Sequence, residues 1–140
     1  MDHDLQRFMS AQDPVMPAVM AELRAGQKRT HWMWFVFPQL RGLGSSPTAQ
    51  FYAIRTRAEA EAFLVHPVLG ARLVECTEAV NGVPGRDVHR IFGSPDDMKF
   101  HSSMTLFDAI RPGAVFDAAL HRFFAGRRDP RTLELLAGMG

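Results

Sequence analysis

The sequence predicts an all-α fold in one compact domain over residues 1–140, with about eight or nine short helices around a buried, tryptophan-rich helix. Three observations carry that expectation. First, a polar residue stands directly before a proline at Asp13-Pro14, Ser46-Pro47, His66-Pro67, Ser94-Pro95 and Asp129-Pro130, the pattern of an N-cap followed by proline at the first helical position. Second, Trp32-Met33-Trp34-Phe35-Val36-Phe37 places large apolar side chains in unbroken succession, which leaves no polar face at helical or strand periodicity and demands burial. Third, no other segment reads as a partner strand for that run, so helix is preferred for it, with Thr30 as N-cap and Pro38 as stop.

The elements follow in order. Leu5, Phe8 and Met9 mark a short amphipathic helix ending near Gln12. Asp13-Pro14 opens a helix through Val15, Val19, Leu23 and Arg24 that Gly26 terminates. After the tryptophan run and the Ser46-Pro47 start, Thr56 and Glu59 form a capping box for a helix carrying Ala60, Phe63 and Leu64. From Pro67, the residues Leu69, Leu73, Cys76 and Val80 keep one face, so Cys76 reads as a small buried hydrophobe with no basic or histidine neighbour to activate it. Asn81-Gly82-Val83-Pro84-Gly85 breaks the helix. Val88, Ile91 and Phe92 then make one turn closed by Gly93, and Pro95 to Ile110 is the longest helix, with Asp96 and Asp97 placed favourably in its first turn. A wide apolar stripe from Val115 to Phe124 stops at Gly126, and a last helix carries Leu133, Leu135 and Leu136.

A chain of 140 residues buries roughly 68% of its unfolded surface, enough for a self-sufficient core. Sixteen Lys and Arg against fifteen Asp and Glu give a formal charge of +1, which argues against general attraction to nucleic acid or membrane. One cysteine, no basic-then-apolar leader and no bilayer-length apolar run make the cytoplasm the expected compartment. No phosphate-loop motif, nucleophile elbow or spaced metal-ligand pair is present, so neither a metal nor another cofactor is expected.

Three places can carry chemistry. The loop Arg41-Gly42-Leu43-Gly44-Ser45-Ser46 runs into a proline-opened helix, so free N–H groups, hydroxyls and an arginine can hold an anion; its glycines and Ser46 also suffice for a plain turn and cap. Asp96, Lys99, Ser102 and Ser103, three and four apart, form a polar stripe beside Phe100, Met104 and Phe107, with Lys99 as a charge for an anion, the serines as donors and Asp97 as the nearest candidate base. The dull alternative is an exposed ion pair and close helix packing. His31 and Gln39 bracket the aromatic run, where Trp32 or Trp34 can stack on a flat ligand or simply satisfy its indole N–H within the core. Arg122, Arg127, Arg128 and Arg131 read as a solvated basic face.

The motifs His31-Trp-Met-Trp-Phe-Val-Phe-Pro-Gln39, Leu43-Gly-x-Ser with Tyr52-Ala-Ile after it, His66-Pro-Val-Leu-Gly-x-Arg72-Leu, Ile91-Phe-Gly-x-x-Asp-Asp97 and Lys99-x-x-Ser-Ser-Met-Thr-Leu-Phe107 carry a resemblance. By them the chain resembles, from Leu5 to Leu136, the small bacterial proteins known as domain of unknown function 1810, departing at Phe51, where a more polar residue is typical. The resemblance implies an all-helical, soluble, cytosolic single domain without an established activity. The calpastatin label sometimes given to such proteins does not fit, because that inhibitor is a disordered repeat protein and this chain has the apolar content of a packed globule.

The expectation drawn from all this is a pocket lined by Trp32, Trp34, Gln39, Arg41, Gly44, Ser45, Lys99, Ser102 and Ser103, which binds or hydrolyses a small phosphorylated or nucleotide-like molecule. Whether the protein is an enzyme stays open. The alternative is a non-catalytic interaction or dimerisation module using an apolar face at Val115, Phe116 and Phe123.

Overall fold

In a computed structural model, residues 3–139 are described; residues 1, 2 and 140 of the expected domain lie outside them. Among the described residues the chain forms ten helices, where eight or nine were expected, and no strand. They are α1 (Gln6–Gln12), α2 (Met16–Ala25), α3 (Met33–Val36), α4 (Pro47–Phe51), α5 (Arg57–Val65), α6 (Leu69–Asn81), α7 (Val88–Phe92), α8 (Asp96–Ile110), α9 (Val115–Phe124) and α10 (Pro130–Gly138). The long α8 is the hub, with α5, α7, α9 and α10 packed on it, while α6 joins α2, α5 and α9.

Of the five polar–proline pairs, two cap as expected. Ser46 Oγ accepts from Ala49 N–H at 3.1 Å and Asp129 Oδ2 accepts from Thr132 N–H at 3.2 Å, each with proline opening the helix. His66 caps through its ring, Nδ1 facing the N–H groups of Val68 and Leu69 at 3.1 Å each, and the helix starts two residues past Pro67. Asp13 does not cap α2. Its backbone is still in the right-handed helical region as the end of α1, whereas an N-cap needs extended geometry, and its carboxylate pairs with Arg72 at 2.9 Å. Ser94 makes no cap bond either, since Pro95 itself occupies the cap position of α8.

The tryptophan run is buried but is not one helix from Thr30 to Pro38. Only Met33–Val36 is helical. The N–H groups of Arg29 and Thr30 and the Thr30 hydroxyl all go to the Glu22 carboxylate at 2.6, 3.0 and 2.6 Å, so Thr30 is spent elsewhere. Phe37 precedes a proline, which disfavours the helical region for it, and its φ of −121° and ψ of 71° end the turn. Beyond Pro38 the chain runs extended for one bridge: Ile54 N–H donates to Gln39 O at 2.9 Å and Arg41 N–H to Ile54 O at 2.8 Å.

Ring packing ties the helices together. Phe37 meets Phe100 of α8 edge-on at 5.1 Å and Phe92 of α7 at 5.9 Å. Phe8 of α1 meets Phe63 of α5 at 5.0 Å, and Phe63 lies 5.6 Å from Phe107 of α8. Such pairs add roughly 0.5–1.5 kcal/mol each beyond the area they bury. A buried ion pair, Arg7 with Glu59 at 3.4 Å, joins α1 to α5, and Arg7 also donates to the carbonyls of Phe51 and Ala53. Cys76 is fully buried, and burial, helped by the neighbouring Glu75, pushes its thiol up to about 12, which keeps it unreactive. Gly70 allows α6 to approach α5: a Cβ there would lie 1.9 Å from Leu64 O.

Candidate functional site

A cleft of about 410 Å³ opens where three parts of the chain converge: the segment from Gln39 to Ser45, the first turns of α8, and the start of α10. Each part is placed by local chemistry. The Gln39–Ser45 segment is held by the Leu40–Ile54 bridge at one end and by the Ser46 cap at the other. Gly44 is required between them, because a Cβ there would sit 2.6 Å from Ala49 Cβ and 3.3 Å from Gln39 Nε2. The start of α10 is tied to α8 by Asp129 N–H donating to the buried Thr105 hydroxyl at 2.9 Å, which itself donates to His101 O.

The lining combines Gln39, Ser45, Lys99, Ser102, Asp129 and Arg131 with an apolar wall of Leu43, Pro95 and Met98. Lys99 Nζ stands 5.0 Å from the Trp34 ring and 3.7 Å from Asp96 Oδ1. That carboxylate is more closely engaged by Lys28, at 2.8 Å, so Lys99 keeps most of its charge for the cleft. Behind it, Trp34, Gln39 and Lys99 also line an inner void of about 10 Å³, room for about one water molecule. The first turns of α8 and α10 add the positive ends of two helix dipoles. The arrangement sets two cations, Lys99 and Arg131, and the neutral groups of Gln39 and Ser45 beside one carboxylate, Asp129; Arg131 also pairs with the exposed Glu134 at 3.5 Å.

Six of the nine residues singled out from the sequence, Trp34, Gln39, Gly44, Ser45, Lys99 and Ser102, lie around the cleft and its inner void. Three do not. Trp32 is in the core, its indole N–H donating to Glu22 Oε1 at 3.0 Å. Ser103 points away into the core, fully buried, its Oγ without a hydrogen-bond partner among the described residues. Arg41 is exposed and outside the lining; its backbone is what the bridge uses. Asp97 is also elsewhere, paired with His89 at 3.2 Å and with Met98 N–H at 2.9 Å. The face proposed for a partner is largely closed: Phe116 is fully buried, and Val115 and Phe123 are half-buried.

Sequence reasoning missed Asp129 and Arg131 as lining residues. Asp129 was legible as a cap, and Arg131 as one of four arginines on a solvated face. Of the others, Arg128 bridges Asp108 and Asp117 at 3.0 and 2.7 Å, and Arg122 donates to Val83 O. The signal available was Asp129-Pro130-Arg131 itself, a helix start carrying both charges, but nothing in the sequence says that it meets Lys99 across the fold.

Among the described residues no helix is long and apolar enough to cross a membrane, and no group of three or more His, Cys, Asp or Glu stands close enough to hold a metal ion. The family described as "Protein of unknown function (DUF1810)" matches the chain over residues 2–136. Among solved structures, the crystal structure of the conserved hypothetical protein Rv1873 from Mycobacterium tuberculosis is similar with a TM-score of 0.94 and 56% identity, covering 96% of each chain. No curated protein matches.

Proposed function

We propose, for a chain that belongs to the DUF1810 family of proteins of unknown function, that the cleft at Lys99 binds a small phosphorylated or nucleotide-like molecule. The supporting observation is convergence: Lys99 and Arg131 from two helices face one volume of about 410 Å³ with Gln39, Ser45 and Ser102, within the range of roughly 300–1,000 Å³ usual for ligand sites. Leu43, Pro95 and Met98 supply the apolar wall against which a base or sugar would lie. Stacking falls to Trp34 only where Lys99 gives way, because its ammonium already covers that ring. If hydrolysis follows binding, Asp129 is the carboxylate in the lining that would accept a proton from water. A bacterial, cytoplasmic setting fits the Mycobacterium source of the similar structure and the buried, unreactive thiol of Cys76.

Thermal melting with a panel of nucleotides and sugar phosphates tests this reading. A ligand present at about 100 times its dissociation constant adds about 2.7 kcal/mol of stability. The expected result is a rise in melting temperature with at least one phosphorylated compound that Lys99→Ala abolishes. No rise with any compound contradicts the proposal, as does a rise that Lys99→Ala leaves intact.

A further inference from the structure

We propose that Asp129 makes the cleft selective for an anion that carries a hydroxyl group beside its charge, such as a sugar phosphate or nucleoside monophosphate, over one that does not. This rests on reading the cleft as an anion site and names what the anion must bring with it. The geometry is specific. The Asp129 main chain is fixed by its N–H on the fully buried Thr105 hydroxyl at 2.9 Å. Its side chain is fixed through one oxygen only: Oδ2 accepts from the Thr132 N–H at 3.2 Å, from the Thr132 hydroxyl, and shares the Ser102 hydroxyl, 3.2 Å away, with Met98 O.

Oδ2 is therefore saturated, since a carboxylate oxygen takes about two donors comfortably. Oδ1 has no hydrogen-bond or ion-pair partner among the described residues, on a side chain that lines the cleft. An immobilised acceptor of this kind, with Lys99 and Arg131 lining the same cleft, opposes a bare anion and favours one that donates a hydrogen bond back. The donor is a hydroxyl and not an ammonium, because the two lining cations would oppose a third positive charge.

Calorimetric titration of the parent and of Asp129→Asn with ribose 5-phosphate and with n-butyl phosphate, which has no hydroxyl, tests the assignment. Asparagine caps a helix about as well as aspartate, so α10 stays in place, and an unchanged melting temperature of the unliganded variant verifies it. The parent is expected to bind ribose 5-phosphate about tenfold or more tighter than butyl phosphate. The variant is expected to lose that preference, largely by gaining affinity for butyl phosphate. Equal binding of the two phosphates by the parent overturns the role of Asp129 while leaving an anion site standing. A preference that survives Asp129→Asn overturns it too. Failure of the parent to bind either phosphate overturns both this inference and the anion reading beneath it.

Discussion

The Glu22 carboxylate shows how much one side chain organises. Burial alone would raise it, but the Thr30 hydroxyl, the Arg29 and Thr30 N–H groups and the Trp32 indole outweigh that and hold it at about 2, against an ordinary 4.5. Because the folded value lies below the unfolded one, its contribution is full above about 4.5 and disappears as pH falls toward 2. A gap of this size corresponds to up to about 3 kcal/mol. Glu22→Gln should therefore lower the unfolding free energy near pH 7 by that order, and the difference from the parent should shrink as pH falls through that window; denaturant titrations at several pH values measure it. The sequence showed the large apolar residues around Glu22 and missed its role. A glutamate inside a helix reads as surface, and its four donors lie seven to ten residues later in an irregular segment. The buried Arg7–Glu59 pair was hidden for the same reason, its partners standing 52 residues apart.

Elements were easier to read than their ends. Gly26, Gly82 and Gly93 stop α2, α6 and α7 where the sequence placed the breaks, because glycine and the Asn-Gly pair act through local backbone preference. The capping pairs split, since a polar residue before proline is a cap only where the preceding element has already ended, as at Ser46 and Asp129 and not at Asp13. The composition of the tryptophan run fixes its burial and not its conformation; competition by Glu22 for Thr30 and the proline after Phe37 reduce the expected helix to one turn. The junction of α8 and α10 is where an element-level change should matter most. Thr105→Val removes the acceptor for Asp129 N–H while preserving shape, and should cost about 1–2 kcal/mol. Urea titration should show the midpoint lowered with the slope unchanged.

At the scale of the molecule, the all-α class follows from punctuation and periodicity, and the structure bears it out. The cleft was only partly legible. The Gln39–Ser45 segment and the Lys99–Ser102 turn each announced polar groups beside apolar ones, whereas the contribution of α10 depends on how distant helices pack around α8. Net charge was no guide, because the relevant cations are two among many balanced surface charges, distinguished by the volume they share.

The central claim, that this shared volume is a binding site for a small phosphorylated molecule, is tested most directly by mapping backbone amide resonances during titration with ribose 5-phosphate and with adenosine monophosphate. The account predicts saturable shifts concentrated at residues 39–45, 96–102, 129, 131 and 132. Shifts that cluster elsewhere, or none at millimolar ligand, would contradict it.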